Sequence, residues 1–183
     1  MEIDPRIKKV IYTHEQIVKK CKELGDWVNT QYQNSKNLII IGLLKGSIPF
    51  LAELMKHITI DHILDFMTVS SFDGQMSGTG NIKIIMDLKS DIFNHDVLIV
   101  EEIIDSGKTL SKIVNHLNQR NPKSIKVMAL LNKHESRQTK IHVDKYGFLA
   151  PNYFYAGFGL DVKEKLRNLP YIGIFDKTKY DEL

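Results

Sequence analysis

An α/β domain on a mainly parallel sheet is the fold class this sequence predicts. Three apolar runs point to it: LIIIGLL (38–44), VLIV (97–100) and IKVMALL (125–131). Each has strand length and lacks the apolar–polar alternation of a sheet wetted on one face, so each reads as a strand buried on both sides. Helical patterns at 47–57 and 107–120 separate such runs, the rhythm of strand–helix–strand units. The chain has 183 residues, 43% apolar and 26% charged, which fits a globular domain with its own core.

In chain order, residues 13–33 come first. Thr13 and Gln16 have capping-box spacing, and Ile17, Cys21, Leu24 and Val28 form one stripe at helical period. That is an amphipathic helix. Cys21 sits in the stripe and is expected as a small core residue. It is the one cysteine, so an internal disulfide and a Cys-rich zinc site are excluded and a reducing, cytoplasmic setting is expected. Strand 38–44 and helix 47–57 follow. Strands at about 63–70 and 81–86 flank FDGQMSGTGN (72–81), a polar stretch with three glycines that reads as a surface loop acting as a lid. Strand 97–100, a helix carrying Leu110, Ile113, Val114 and Leu117, and strand 125–131 complete the core.

Several function classes drop out. A net charge of +3 with interspersed basic residues gives no concentrated face for nucleic acid. MEIDPRIKKV has no apolar leader, and the longest apolar stretch, 38–44, is far short of the roughly 20 residues that span a bilayer, so no membrane partner is expected. The terminal YDEL has Tyr180 where a retention signal has Lys or His.

The chemistry concentrates in VLIVEEIIDSGKTL (97–110). It is not a nucleoside-triphosphate P-loop, because Glu102 stands where the first glycine belongs. Nor is Gly78-Thr79-Gly80 a dinucleotide fingerprint, since Lys83 takes the third glycine position. A buried strand instead runs into Glu101 and Glu102. Asp105, Ser106, Gly107, Lys108 and Thr109 then open a helix. Gly107 permits a tight turn with exposed amides, Ser106 and Thr109 add hydroxyls, and the helix N-terminus carries about half a positive charge. That suits a monophosphate. The acidic pair suits a sugar diol or Mg²⁺. Together they describe a ribose 5-phosphate pocket at the carboxyl edge of a sheet.

This stretch resembles the phosphoribosyl-pyrophosphate motif of the type I phosphoribosyltransferases, and the rest of the chain resembles the hypoxanthine-guanine branch. The resemblance covers about residues 38–176. It implies the type I phosphoribosyltransferase fold over one domain, 1–183. The core sheet would span about 38–150, with a small hood from the N-terminal segment and about 151–183. Leu44-Lys45-Gly46-Ser47 matches a pyrophosphate loop with a cis peptide between Leu44 and Lys45. Ser71-Phe72 matches a Ser-Tyr pair of the catalytic loop, with Phe for Tyr. Lys133 matches a lysine that hydrogen-bonds a purine 6-oxo group, and a lysine donates but cannot accept. In PNYFYAGFGLD (151–161), Phe154 matches a base-stacking residue. Tyr155 stands where a small aliphatic is usual, which bears on the choice of base. Asp161 matches a purine-side and metal-site aspartate, and Arg167 a pyrophosphate-side arginine. Glu101-Glu102 replaces the usual Glu-Asp.

The resemblance further implies purine salvage. A 5-phosphoribosyl group passes from phosphoribosyl pyrophosphate to N9 of hypoxanthine or guanine, giving IMP or GMP and pyrophosphate. Mg²⁺ is the implied cofactor, with Glu101 and Asp161 at the metal and Glu101 and Glu102 on the ribose. Lys45, Gly46, Ser71, Phe72 and Arg167 face pyrophosphate, and Asp105 works as catalytic base near N7. A homodimer or homotetramer is implied. A xanthine-preferring transferase and a phosphoribosyl-sensing, RNA-binding regulator are the alternatives.

Overall fold

The apolar runs form the middle of a six-stranded sheet in a computed structural model that describes residues 2–71 and 82–183. Its strands are β2 (Leu38–Leu44), β3 (Ile63–Ser71), β4 (Ile82–Met86), β5 (Asp96–Ile104), β6 (Ser124–Asn132) and β7 (Lys145–Leu149), in the order β4-β3-β2-β5-β6-β7. All neighbours pair parallel except β3 with β4. The loop expected over 72–81 lies outside the described residues.

Burial on both faces explains the uninterrupted hydrophobicity of the central strands. Ile40, Leu98, Val100 and Met128 pack on one side, against Ile17, Cys21, Leu24 and Val28 of α1 (His14–Gln31) and Phe50, Leu51 and Leu54 of α2 (Ser47–Met55). Ile39, Ile41, Val97 and Ile99 pack on the other, against Leu110, Ile113 and Leu117 of α3 (Lys108–Asn118). Helix α1 starts where the capping box places it. Thr13 Oγ1 accepts from the Gln16 amide at 3.4 Å, and Gln16 Oε1 accepts from the Thr13 amide at 2.9 Å. Cys21 is fully buried in that helix's stripe.

The two ends of the chain meet in a second, antiparallel sheet, β1 (Ile7–Tyr12), β9 (Ile172–Phe175) and β8 (Tyr155–Ala156), in the order β1-β9-β8. Its own core holds Ile7, Ala156, Val162, Leu166, Tyr171 and Phe175. Among the described residues no helix is long and apolar enough to cross a membrane.

One expectation needs correction. The acidic pair does not follow its strand; it lies within it, since β5 runs on to Ile104. Hydrogen bonds to β6 carry the extension, with Glu101 opposite Ala129 and Ile104 opposite Asn132. Backbone pairing with β6 carries the strand past two adjacent acidic side chains.

Candidate active site

The sheet itself creates the cleft. The chain leaves β2 toward β3 on one side and leaves β5 toward β6 on the other, so the direction of winding switches between β2 and β5. Open α/β sheets bind ligands at the carboxyl ends of strands at such a point. Here β2 and β5 pair only as far as Gly42 with Val100, while β5 keeps β6 for four residues more. The strands part at Glu101. A cleft of about 420 Å³ opens there, lined by Lys45, Gly46, Glu101, Glu102, Asp161 and Arg167 among others.

One wall is the turn after β2. The Leu44–Lys45 peptide is cis, and the buried Ser47 hydroxyl donates to the Leu43 carbonyl at 2.6 Å, closing the turn as α2 begins. Gly46 lets the Glu102 carboxylate pack against the turn; a Cβ there would force that side chain to shift. The floor is acidic. Glu101 and Glu102 each keep an Oε2 sealed from solvent with no hydrogen-bond partner among the described residues. Burial, then the neighbouring Glu102 charge, pushes Glu101 well above the usual carboxylate range. Burial raises Glu102 as well, and Asp161 adds to this, against a backbone hydrogen bond and Arg167. Unpaired buried carboxylates are costly, so this floor is built for donors or a cation that a ligand brings.

The opposite side is the phosphate-type turn. Gly107 is left-handed at φ +78° and caps α3 without a side-chain hydrogen bond; the Lys108 amide makes only a long contact, 3.4 Å, to Ser106 Oγ, which an anion at this helix start can replace. Asp105, Ser106, Gly107 and Thr109 line a small cavity with Glu101, and Lys108 is exposed at the start of α3. Lys133 lies just past the end of β6. It is not a solvated lysine: its side chain is 8% exposed, and Nζ meets Asp105 Oδ2 at 2.6 Å. The residues expected to orient the base and to move its proton are therefore partners.

The third side comes from the segment after β8. Arg167 donates to the Gly159 carbonyl at 2.8 Å and pairs with Asp161 at 2.9 Å and Glu164 at 3.1 Å. Glu164 also holds Lys45 at 2.8 Å. Phe154 is partly exposed and meets Phe175 edge-to-face at 5.8 Å. Tyr155 is buried in the main core, and its hydroxyl donates to the Pro151 carbonyl at 3.0 Å, so its bulk faces the interior. Ser71 ends β3, and Phe72 lies outside the described residues. No sequence signal points to Glu164, which reaches Lys45 across 119 positions, or to Asn132 and Arg137 beneath the phosphate-type turn.

A family model described as the phosphoribosyl transferase domain matches residues 9–163. The chain belongs to the phosphoribosyl transferase family. A hypoxanthine phosphoribosyltransferase of Buchnera aphidicola is 49% identical over 172 residues, 92% of this chain and 97% of that one. A hypoxanthine-guanine phosphoribosyltransferase of Lactococcus lactis is 43% identical over 180 residues, 98% of this chain and 97% of that one. Among solved structures, a Staphylococcus aureus hypoxanthine phosphoribosyltransferase superposes with a TM-score of 0.91 at 41% identity, covering 96% of this chain and 95% of that chain. The α/β fold with its mostly parallel sheet is thus that of phosphoribosyl transferases.

Proposed function

We propose that this chain is a purine-salvage enzyme that transfers a 5-phosphoribosyl group from phosphoribosyl pyrophosphate to N9 of hypoxanthine or guanine. One observation carries the reading. A buried acidic pair lines the cleft between β2 and β5, and beside it, past the ends of β5 and β6, stand a glycine-capped helix start and a buried lysine paired with Asp105.

The turn Asp105–Thr109 holds the 5-phosphate with its amides and hydroxyls. Glu101 and Glu102 accept from the ribose hydroxyls. Lys45, Gly46, Ser71, Phe72 and Arg167 face the pyrophosphate. Lys133 donates to the 6-oxo group, which favours oxo-purines over adenine. Phe154 stacks on the base, and Asp161 and Tyr155 border it. Asp105 accepts the purine proton as the N9 bond forms, a role typically worth about 10²–10⁴-fold. The transfer yields IMP or GMP.

Mg²⁺ fits this cleft as a shared ion. Among the described residues no three His, Cys, Asp or Glu side chains are grouped to hold a metal alone. Mg²⁺ is commonly held by one or two carboxylates plus substrate phosphates, and Glu101 and Asp161 supply hard oxygens here. When bound, the ion neutralises charge on the departing pyrophosphate.

The chain works as one domain, 1–183, in the cytoplasm, where its single cysteine stays reduced. It assembles as a homodimer or homotetramer, which exposed Tyr146 and Leu149 on the edge strand β7 favour.

The test is pyrophosphate release with Mg²⁺, phosphoribosyl pyrophosphate and separate purines. Rapid release with hypoxanthine or guanine is expected. Release only with xanthine, adenine or orotate, or with none, refutes the assignment.

A further inference from the structure

Beneath the phosphate-type turn lies a cation that none of the roles above uses. Arg137 follows a short 3₁₀ turn (His134–Ser136) after β6. Its Nη2 donates to Oδ1 of the buried Asn132 at 2.5 Å. Its Nη1 is sealed from solvent and has no hydrogen-bond partner among the described residues. The guanidinium lies directly under Gly107. A Cβ there would stand 3.0 Å from Arg137 Cδ and 3.2 Å from Nη1, with Ile141 Cγ2 at 2.9 Å. Burial lowers the pKa of the guanidinium and the nearby Asp105 charge raises it. The backbone beyond Arg137 is fastened to the same turn, as the Gln138 and Thr139 amides donate to the Ser106 carbonyl at 2.9 and 3.1 Å.

Two needs meet here. Gly107 takes a left-handed conformation that only glycine adopts freely, and Arg137 and Ile141 leave no room for a larger residue. The guanidinium, in turn, places a positive charge behind a turn whose amides already face outward. A partly dehydrated cation without a full set of acceptors is unfavourable on its own. An anion bound on the far side of the turn would offset that cost, because Coulomb attraction acts across a thin layer of protein with little water between.

We propose that Arg137 is a positioning residue for the 5-phosphate: anchored by Asn132, it braces the Gly107 turn from below and adds its charge to the helix-start field on the phosphate. This rests on the assignment of Asp105–Thr109 to the 5-phosphate. Arg137 does not touch the substrate; it acts through Gly107. Lysine in its place keeps the charge but lacks the planar fork that reaches Asn132 and Gly107 together.

The test compares IMP with inosine, which differs only in lacking the phosphate, by calorimetry on the full chain and its Arg137→Gln and Arg137→Lys variants. Melting temperature serves as the folding control. Wild type is expected to prefer IMP strongly. Arg137→Gln should weaken IMP about 10- to 100-fold, the range of a lost charge-assisted contact, and leave inosine unchanged. Arg137→Lys should recover part of the loss, and it carries the comparison if the glutamine variant does not fold. In steady state the loss should appear in KM for phosphoribosyl pyrophosphate more than in KM for hypoxanthine. An Arg137→Gln protein that keeps the wild-type IMP-to-inosine ratio overturns the proposal, as does one that weakens both ligands equally. A wild-type protein that does not distinguish IMP from inosine overturns the phosphate assignment itself.

Discussion

Replacing Asp105 by Asn separates proton chemistry from geometry. Asparagine is isosteric and still accepts a hydrogen bond from Lys133 Nζ, now 2.6 Å from Asp105 Oδ2, but it carries no charge and is a poor base. The structural cost follows from exposure. The lysine side chain is 8% exposed and the aspartate 51%. Removing one member of a fully buried pair costs about 3–5 kcal/mol, and a fully exposed pair is worth about 0–1 kcal/mol. With one partner wet and the retained hydrogen bond, the cost here is about 1.5 kcal/mol. For a domain of this length that lowers the melting temperature by about 3–6 °C. The catalytic cost is separate: a single-turnover rate about 10²–10⁴-fold slower, with phosphoribosyl pyrophosphate affinity changed far less. Adding Lys133→Met removes the stranded cation, so the double variant should melt above Asp105→Asn alone. Scanning fluorimetry and rapid quench measure the two effects. A wild-type single-turnover rate removes Asp105 as the base. A wild-type melting temperature refutes the argued worth of the pair.

Three further outcomes follow from burial and hydrogen bonding. Cys21 is fully buried and its thiol is pushed up to about 12, by burial first and by Glu53 second; at pH 8 a disulfide reagent should label it only as fast as the protein unfolds, and rapid native-state labelling would contradict this packing. Burial raises Asp96, but hydrogen bonds from Ser35, Lys123 and Ser124 outweigh it, so its folded pKa lies below 3.8. Asp96→Asn should cost about 2 kcal/mol in urea melts at pH 7. That gap is full above the unfolded value and closes as pH falls through the lower folded one, so a gap that widens in acid would reverse the sign. Tyr155→Phe should cost about 1 kcal/mol through the lost bond to Pro151 and leave the ratio of hypoxanthine to guanine use unchanged; a shifted ratio in the assay would mean that the hydroxyl reaches the base.

The parts of this fold that were legible in the sequence are those set by local period. Ile17, Cys21, Leu24 and Val28 predict one face of α1, and the Thr13 and Gln16 pair predicts its start. LIIIGLL predicts β2 because both of its faces are covered. The site was legible where chemistry is contiguous, as in Glu101 through Thr109. What could not be read is contact between distant positions. Lys133 looks like one lysine among several, and only the fold sets it against Asp105. Glu101 and Glu102 look like the end of a strand, because two adjacent charges argue against burial until β6 supplies backbone partners. Tyr155 looks like an obstruction to the base because its direction depends on β8 pairing with β9, which comes from the far end of the chain.

The charges of the cleft suggest how a ligand changes it. Its cations are held by its own acids: Lys133 by Asp105, Lys45 by Glu164, and Arg167 by Asp161 and Glu164. Lys45 and Glu164 are both largely exposed, so that contact is weak and easily exchanged. On the proposed reading, a diphosphate outcompetes Glu164 for Lys45 and Arg167, because it offers more charge and more acceptor oxygens. Arg167 is then drawn from Asp161, whose carboxylate would be free to hold Mg²⁺. Glu101 and Glu102 complete the exchange. Burial raises both carboxyls, Glu102 to about 7, so a sugar diol or a cation on this floor should displace protons from it. Binding of phosphoribosyl pyrophosphate should therefore release protons near neutral pH, by an amount that falls in Glu102→Gln. Calorimetry in buffers of different ionisation enthalpy measures that release, and a proton count of zero in both proteins would refute this account of the acidic floor.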